Sequence, residues 1–378
     1  MLHHARGLLS PLSVLLLGLL LAALGRPAQA QESLTLHHIG PLTGVLAASN
    51  AEALEGARLH LDAVNARGGI GGRRVVLEAL DDGQDPKRSA EIFGQLQASG
   101  RLLALLLPRT TPSFEVLMPL VARHGVPVIG PQTGVATANQ PPRREVFTLR
   151  ASYQREAEVA IRQQHSIGVR RFAVLLADDA FGRDVLEGID RAVKALELPA
   201  PAIARIDNRK PDVAPALAAL QPQAPQVVLL IASSKASAAF VAGWRAAGRS
   251  ATFISLSNTS NTDYVQALGE HSRGAIVMQV MHSPFSGGTA LAREYAAAAQ
   301  RGGKTLSYAS FYGYASARLA ILGLQRAPQP TRAGLIQALE GLGEVDLGGH
   351  RLRFGPGERT GSSFVEPTII THGGKFMR

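Results

Sequence analysis

Ser33-Leu34-Thr35-Leu36-His37-His38-Ile39, followed by Gly40-Pro41-Leu42-Thr43-Gly44, reads as a short strand that runs into a tight loop of small residues. Leu34, Leu36 and Ile39 supply the apolar content, and Gly40, Pro41 and Gly44 let the chain turn sharply after it. Downstream, Leu54, Ala57, Leu61 and Val64 recur at helical spacing, on a helix that ends near Gly68-Gly69. Strand, loop and helix form the opening unit of a Rossmann-like α/β fold. In open parallel sheets, ligands sit beyond the carboxyl ends of the strands, so this loop is a candidate contact.

Upstream, Leu8–Leu24 is a nearly unbroken apolar run preceded by His3, His4 and Arg6 and followed by Ala28-Gln29-Ala30. A basic start, an apolar centre and small residues at −3 and −1 describe a cleaved secretory signal peptide over residues 1–30. The competing reading is a membrane anchor, but 17 residues interrupted by Ser10, Pro11 and Ser13 fall short of the roughly 20 that span a bilayer. With no cysteine in the chain, a lipid anchor on an N-terminal cysteine is excluded and disulfides contribute nothing. The expected location is the periplasm, as a freely soluble protein.

Removing residues 1–30 leaves 348, enough for two domains with separate cores. The leader takes Arg6 and Arg26 and no acid from the total charge of +10, leaving +8. Its basic residues are scattered, in pairs such as Arg73-Arg74, Arg143-Arg144 and Arg170-Arg171, and do not interleave with aromatics. They read as a solvated surface, not a nucleic-acid or membrane interface.

Apolar β-rich runs alternate with amphipathic helices through most of the chain. Strands are expected at Leu34–Ile39, Val75–Leu80, Leu102–Leu107, Pro127–Ile129, Phe172–Leu176, Ala202–Ile206, Val227–Ile231, Thr252–Ser255 and Ala275–Val280. Three helices follow, over Gly288–Arg301, Ser307–Arg326 and Thr331–Leu342, and then a final β pair, Arg351–Phe354 and Phe364–Thr371. The alternation runs twice, predicting an α/β protein of two Rossmann-like lobes with parallel sheets joined by a three-strand hinge. Residues 32–150 with 284–342 would form the N-terminal lobe and 151–283 with 343–378 the C-terminal lobe. The crossovers are expected near Arg150, Ser283 and Gly343.

The loops after the strands carry the candidate chemistry. Pro108-Arg109-Thr110-Thr111-Pro112-Ser113 precedes a helix, Phe114–His124, ended by Gly125. With Thr111 as N-cap and Pro112 as first helical residue, the N–H groups of Ser113 and Phe114 would face outward as an anion site. The alternative is that Thr111 only caps its own helix. Gly130-Pro131-Gln132-Thr133-Gly134 exposes backbone after the fourth strand. In the second half, Asp178-Asp179-Ala180-Phe181-Gly182-Arg183, Ser233-Ser234-Lys235 and Ser257-Asn258-Thr259-Ser260 occupy equivalent places, with Phe181 favoured to face the cleft and Asp179 available as a helix cap. No G-x-S-x-G, G-x-x-x-x-G-K-[ST] or H-E-x-x-H occurs, and no G-x-G-x-x-G follows the first strand. His37 and His38 point to opposite faces of a strand, and His271, His282, His350 and His372 lack ligand spacing. Neither an enzyme, nor a cofactor, nor a metal site is expected.

Several stretches together resemble the type I periplasmic solute-binding proteins of ABC transporters, in the leucine/isoleucine/valine-binding branch. They are Gly40–Gly44, Asn65–Gly72, Asp81–Pro86, Gly125–Pro131, Asp178–Arg183 and Leu352–Gly357, in the family's order across 32–378. The resemblance implies two lobes that close on a small ligand and dock on a membrane permease, and it suggests a monomer. It implies a hydroxyl and amide donors from the Thr111 loop for a ligand carboxylate, a carbonyl and further donors from Gln132-Thr133-Gly134, an aromatic cover from Phe181, and an acid near Ser257 for an ammonium. The expected ligand contacts are therefore Ser49, Thr110, Thr111, Gln132, Thr133, Gly134, Tyr153, Phe181, Ser233 and Ser257. Gly134 stands where a hydroxyl residue is usual, Ser49 where an aromatic can occur, and Ser257 where an acid is usual. Asp178, Asp179 or Asp263 are the open alternatives for a counter-charge. The expected function is solute capture for an ABC importer, of an amino-acid-like, carboxylate or amide solute. A periplasmic sensor presenting its ligand to a membrane receptor is the alternative, and a hydrolase on the same lobes is disfavoured.

Overall fold

The computed structural model describes residues 33–377 apart from Asn139 and Gly373; the signal-peptide reading lies outside the described residues. Five parallel strands build the first sheet: β1 (Leu34–Gly40), β2 (Val75–Asp81), β3 (Ala104–Leu106), β4 (Val128–Ile129) and β5 (Val146–Phe147). Their order is β2-β1-β3-β4-β5, so the winding reverses between β1 and β3. The helices between them are α1 (Ala47–Asn65), α2 (Pro86–Ala98) and α3 (Thr111–His124).

The second sheet repeats the plan with β6 (Phe172–Ala177), β7 (Ala202–Ile206), β8 (Val227–Ile231), β9 (Thr252–Ser255) and β10 (Ile276–Gln279), in the order β7-β6-β8-β9-β10. Here the reversal falls between β6 and β8. Helices α4 (Tyr153–Ser166), α5 (Ala180–Ala195), α6 (Ala214–Leu220), α7 (Ser234–Ala246) and α8 (Thr262–Leu268) cover it. Trp244, Phe240 and Tyr264 bury on one face of this sheet and Ile161, Val185 and Ile189 on the other. That is why β6 and β8 are apolar without alternation: strands covered on both faces have no side to give to water.

Helices α9 (Ala290–Arg301), α10 (Tyr308–Arg326) and α11 (Arg332–Glu340) return to the first core, where Leu291, Tyr295, Phe311, Ala315 and Leu335 pack with Leu36, Ala57 and Phe147. Polar caps start most of these helices: Ser152, Ser233, Asn261, Thr289, Ser307 and Thr331 each accept a hydrogen bond from a backbone N–H in the first turn.

The end of the chain differs from expectation. Strands β11 (Glu344–Asp346), β12 (Arg351–Gly355) and β13 (Glu358–Gly361) form a small antiparallel sheet of their own. Its Leu347, Leu352 and Phe354 bury in the first core, with Phe354 edge-on to Phe147 at 5.5 Å. Thr148 Oγ1 donates to the Thr360 carbonyl at 2.6 Å and fixes this sheet beside the first crossover. Only afterwards do β14 (Glu366–Ile370) and β15 (Phe376–Met377) add antiparallel to the β10 edge. The third crossing thus lies near residues 362–365 and not at Gly343, and Arg351–Phe354 does not pair with Phe364–Thr371. The reason is packing: Leu352 and Phe354 bury against Phe147, an interaction that local pattern cannot reveal.

Candidate ligand-binding cleft

Loops after the carboxyl ends of both sheets line a single cavity of about 340 Å³. From the first sheet come Arg109, Thr110 and Thr111, after β3, and Gln132 and Thr133, after β4. From the second come Asp178, Asp179 and Phe181, after β6, then Ser233, after β8, and Ser257 and Asn258, after β9. Tyr308 and Tyr312 of α10 and Val280 and Met281 after β10 complete it. Both switch points therefore open on the same space. Eight of the ten expected contacts, Thr110, Thr111, Gln132, Thr133, Tyr153, Phe181, Ser233 and Ser257, line it; Ser49 and Gly134 do not.

The Thr111 loop is shifted by one residue from the sequence reading. Thr110 is the N-cap of α3, and Thr111 is its first helical residue. Thr110 Oγ1 accepts from the Ser113 N–H at 3.3 Å, and its carbonyl accepts from the Phe114 N–H at 3.0 Å. The two amides expected to form an anion site are consequently satisfied within the turn. Thr111 is released from capping, and its hydroxyl pairs with that of Thr133 at 2.7 Å on the cavity wall. Thr110 adopts φ 68° and ψ 137°, and Leu107 φ 58°, so a strained backbone brackets Pro108-Arg109.

Arg109, which pattern reasoning passed over, is held by neutral partners. Its guanidinium donates to Gln132 Oε1 at 2.5 Å and to Ser49 Oγ at 2.8 Å. Gln132 Nε2 in turn donates to Asn50 Oδ1 at 2.8 Å, and Asn50 Nδ2 donates to the Pro41 carbonyl at 2.9 Å. Ser49 and the Gln132 amide thus position an arginine instead of reaching for a ligand. Burial draws the Arg109 pKa down, yet a guanidinium keeps its charge in proteins.

Arg150 is the second cation that the sequence reading missed. Largely buried in the cavity wall, it donates to Glu156 Oε1 at 2.5 Å, Ser257 Oγ at 2.6 Å and the Gln132 carbonyl at 3.0 Å, and lies 4.3 Å from the Tyr153 ring centroid. A Cβ on Gly134 would lie 2.8 Å from Arg150 Nη2, so this arginine takes the room where a hydroxyl residue is otherwise usual. Glu156 also accepts from the Ser257 N–H at 2.7 Å. Burial pushes its carboxyl above the ordinary value, while Arg150 and the two Ser257 donors pull it back. An acid outside the expected alternatives, Glu156, thus stands beside Ser257, as the partner of an arginine and not as a group lining the cavity.

The opposite wall sets an aromatic pair among polar residues. Phe181 and Tyr153 meet edge to face at 4.8 Å. Ser233 caps α7 with its hydroxyl, and its own N–H donates to Asn208 Oδ1 at 2.7 Å. Among the remaining acids, Asp179 caps α5 and accepts from Asn208, and exposed Asp178 pairs with Arg205. Two further contacts join the halves of the cleft. Glu52 of α1 accepts from the Thr262 N–H at 3.0 Å and from its hydroxyl, and Asp184 of α5 accepts from the Ala136 N–H at 2.9 Å.

Two switch points facing one cavity are the plan of a two-lobed solute binder, and residues 34–366 match the sequence profile of the periplasmic binding protein family. The chain belongs to that family. It is a family of binding proteins and not of enzymes. Among solved structures, a substrate-binding periplasmic protein from Ralstonia solanacearum is 29% identical with a TM-score of 0.86, covering 91% of this chain and 99% of that one. A possible leucine/isoleucine/valine-binding protein from Rhodopirellula baltica is 23% identical with a TM-score of 0.88, covering 94% and 98%. The Leu/Ile/Val-binding protein BraC3 of Rhizobium johnstonii is 25% identical over 177 residues, 47% of this chain and 48% of that protein. The chain thus spans about half the length of the curated relatives it matches. As members of this fold, the two lobes have mostly parallel sheets and the α/β layering expected from the sequence.

Proposed function

We propose that this periplasmic binding protein is the exported solute receptor of an ABC importer, trapping a small amino-acid-like, carboxylate or amide solute between two lobes and presenting it to a membrane permease. The observation that supports it most is one cavity lined from the carboxyl ends of two separately wound sheets. Residues 34–150 with 284–361 would move against 151–283 with 366–377. The relatives named for leucine, isoleucine and valine favour a ligand of that size, and 340 Å³ is at the small end of ligand cavities, which run from about 300 to 1,000 Å³.

Micromolar capture needs about 8 kcal/mol, and hydrogen bonds to a charged group contribute roughly 1.5–3 kcal/mol each. One lobe's polar groups supply about half, so closure of Tyr153 and Phe181 over the ligand must supply the rest. Thermal-shift screening of the mature protein against amino acids and small aliphatic and aromatic acids should find a stabilising solute. No shift with any of them, in protein shown to be free of copurified ligand, refutes the reading. Thr111→Ala should weaken binding about tenfold with little change in melting temperature, since Thr110 and not Thr111 caps α3.

A further inference from the structure

Resting on the receptor reading, we infer that Arg109 selects a carboxylate ligand that carries no α-ammonium, an apolar 2-oxo or aryl acid in place of an amino acid. Arg109 lines the cavity with two neutral partners, Gln132 Oε1 and Ser49 Oγ, and takes part in no ion pair among the described residues. It is held by a relay of hydrogen bonds through Gln132 and Asn50, which fixes its direction without cancelling its charge. Thr111 and Thr133 offer paired hydroxyls from the same two loops. A carboxylate is the small-solute group that answers a guanidinium fork together with hydroxyl donors.

The ammonium of an α-amino acid sits one carbon from its carboxylate and would share the surroundings of Arg109. Three acids stand around the guanidinium groups of Arg109 and Arg150 without lining the cavity: Glu156 accepts from Arg150 and from both donors of Ser257, Glu52 accepts from the Thr262 N–H, and Asp263 lies in the first turn of α8. An ammonium there would meet two guanidinium groups and no carboxylate on the adjoining cavity wall, and burying it unpaired is costly. Asp178, Asp179 and Asp207 line the second-lobe side, but Asp178 pairs with Arg205, Asp179 is spent on Gly182 and Asn208, and Asp207 is exposed and accepts from the Arg209 N–H. For the rest of the ligand, the Tyr153–Phe181 wall with Val280 and Met281 offers apolar contact.

Calorimetric titration of the mature protein with matched pairs tests this: phenylpyruvate against phenylalanine, and 4-methyl-2-oxopentanoate against leucine. The oxo acid of at least one pair should bind tenfold or more tightly than its amino acid. Equal or tighter binding of the amino acids overturns the charge assignment and leaves the receptor reading standing. Absence of heat with all four also overturns it, and the receptor reading then falls too if native mass spectrometry finds no copurified solute. In a second arm, Arg109→Gln should abolish the preference for the acid over its neutral amide, and Arg109→Lys should retain part of it. A preference undiminished in a folded Arg109→Gln protein shows that another group reads the charge.

Discussion

Thr110 shows how a single residue pays for a site. A threonine at φ 68° and ψ 137° stores roughly 1–3 kcal/mol of backbone strain, whereas replacing a threonine cap by glycine costs only a few tenths and glycine's extra unfolded-state entropy about 0.5–1 kcal/mol. Thr110→Gly should therefore stabilise the fold by about 1 kcal/mol, seen as a rise in melting temperature; a fall would show that the turn is not strained. The strain turns Thr111 toward Thr133 and carries Arg109 to the cavity. At this scale the sequence was partly legible. Eight expected contacts line the cavity because small and hydroxyl residues after strands mark cleft loops. Arg109 and Arg150 escaped notice because an isolated arginine in a loop looks like surface charge until its partners are known.

Helix α10 lines the cleft and packs on α1, and the spacing of the two depends on glycine. A Cβ on Gly313 would lie 1.8 Å from the Ala53 carbonyl oxygen, and one on Gly56 1.7 Å from that of Ser310, so α1 and α10 touch backbone to backbone. Gly313→Ala should force them apart, costing about 1–3 kcal/mol as an overpacked contact does. It should also weaken ligand binding, because Tyr308 and Tyr312 ride on α10. Unchanged affinity would separate the helix pair from the site. Glu52 of α1 gives a second test, since its carboxylate meets the start of α8 through Thr262. Glu52→Ala should reduce affinity several-fold without touching the cavity wall, and X-ray scattering should show a larger ligand-free radius of gyration. An unaltered radius and affinity would mean that this contact does not hold the lobes together.

Across the whole molecule, buried titratable groups set the response to pH. Burial lowers His38, His60 and His350 to about 4. Stability from these histidines is complete above their unfolded value near 6.5 and is lost as pH falls toward 4, on the order of 3 kcal/mol for each. Asp184 opposes them: burial raises it from 3.8 to about 6, so its contribution is present below about 4 and lost as pH rises through 6. His37 shifts in the same sense as these histidines, and Asp82 and Glu156 in the same sense as Asp184. The three histidines displaced to about 4 are the larger set and predict a melting temperature that falls between pH 6.5 and 4. Asp184→Asn should raise it at pH 8, by up to about 3 kcal/mol of stability, with little effect near pH 4. A flat profile, or an Asp184→Asn gain confined to acid, would contradict these assignments.

Strand and helix identity came from the chain itself, because apolar runs, helical spacing and caps such as Ser307 and Thr331 act over a few residues. So did the doubling of the α/β unit and most of the loops that line the cavity. Tertiary structure alone decided that β11–β13 belong to the first core, that Arg150 fills the space beside Gly134, and that Glu156 answers an arginine. Those outcomes depend on which distant side chains share a buried volume, and charge is cancelled or left over only when that volume is shared.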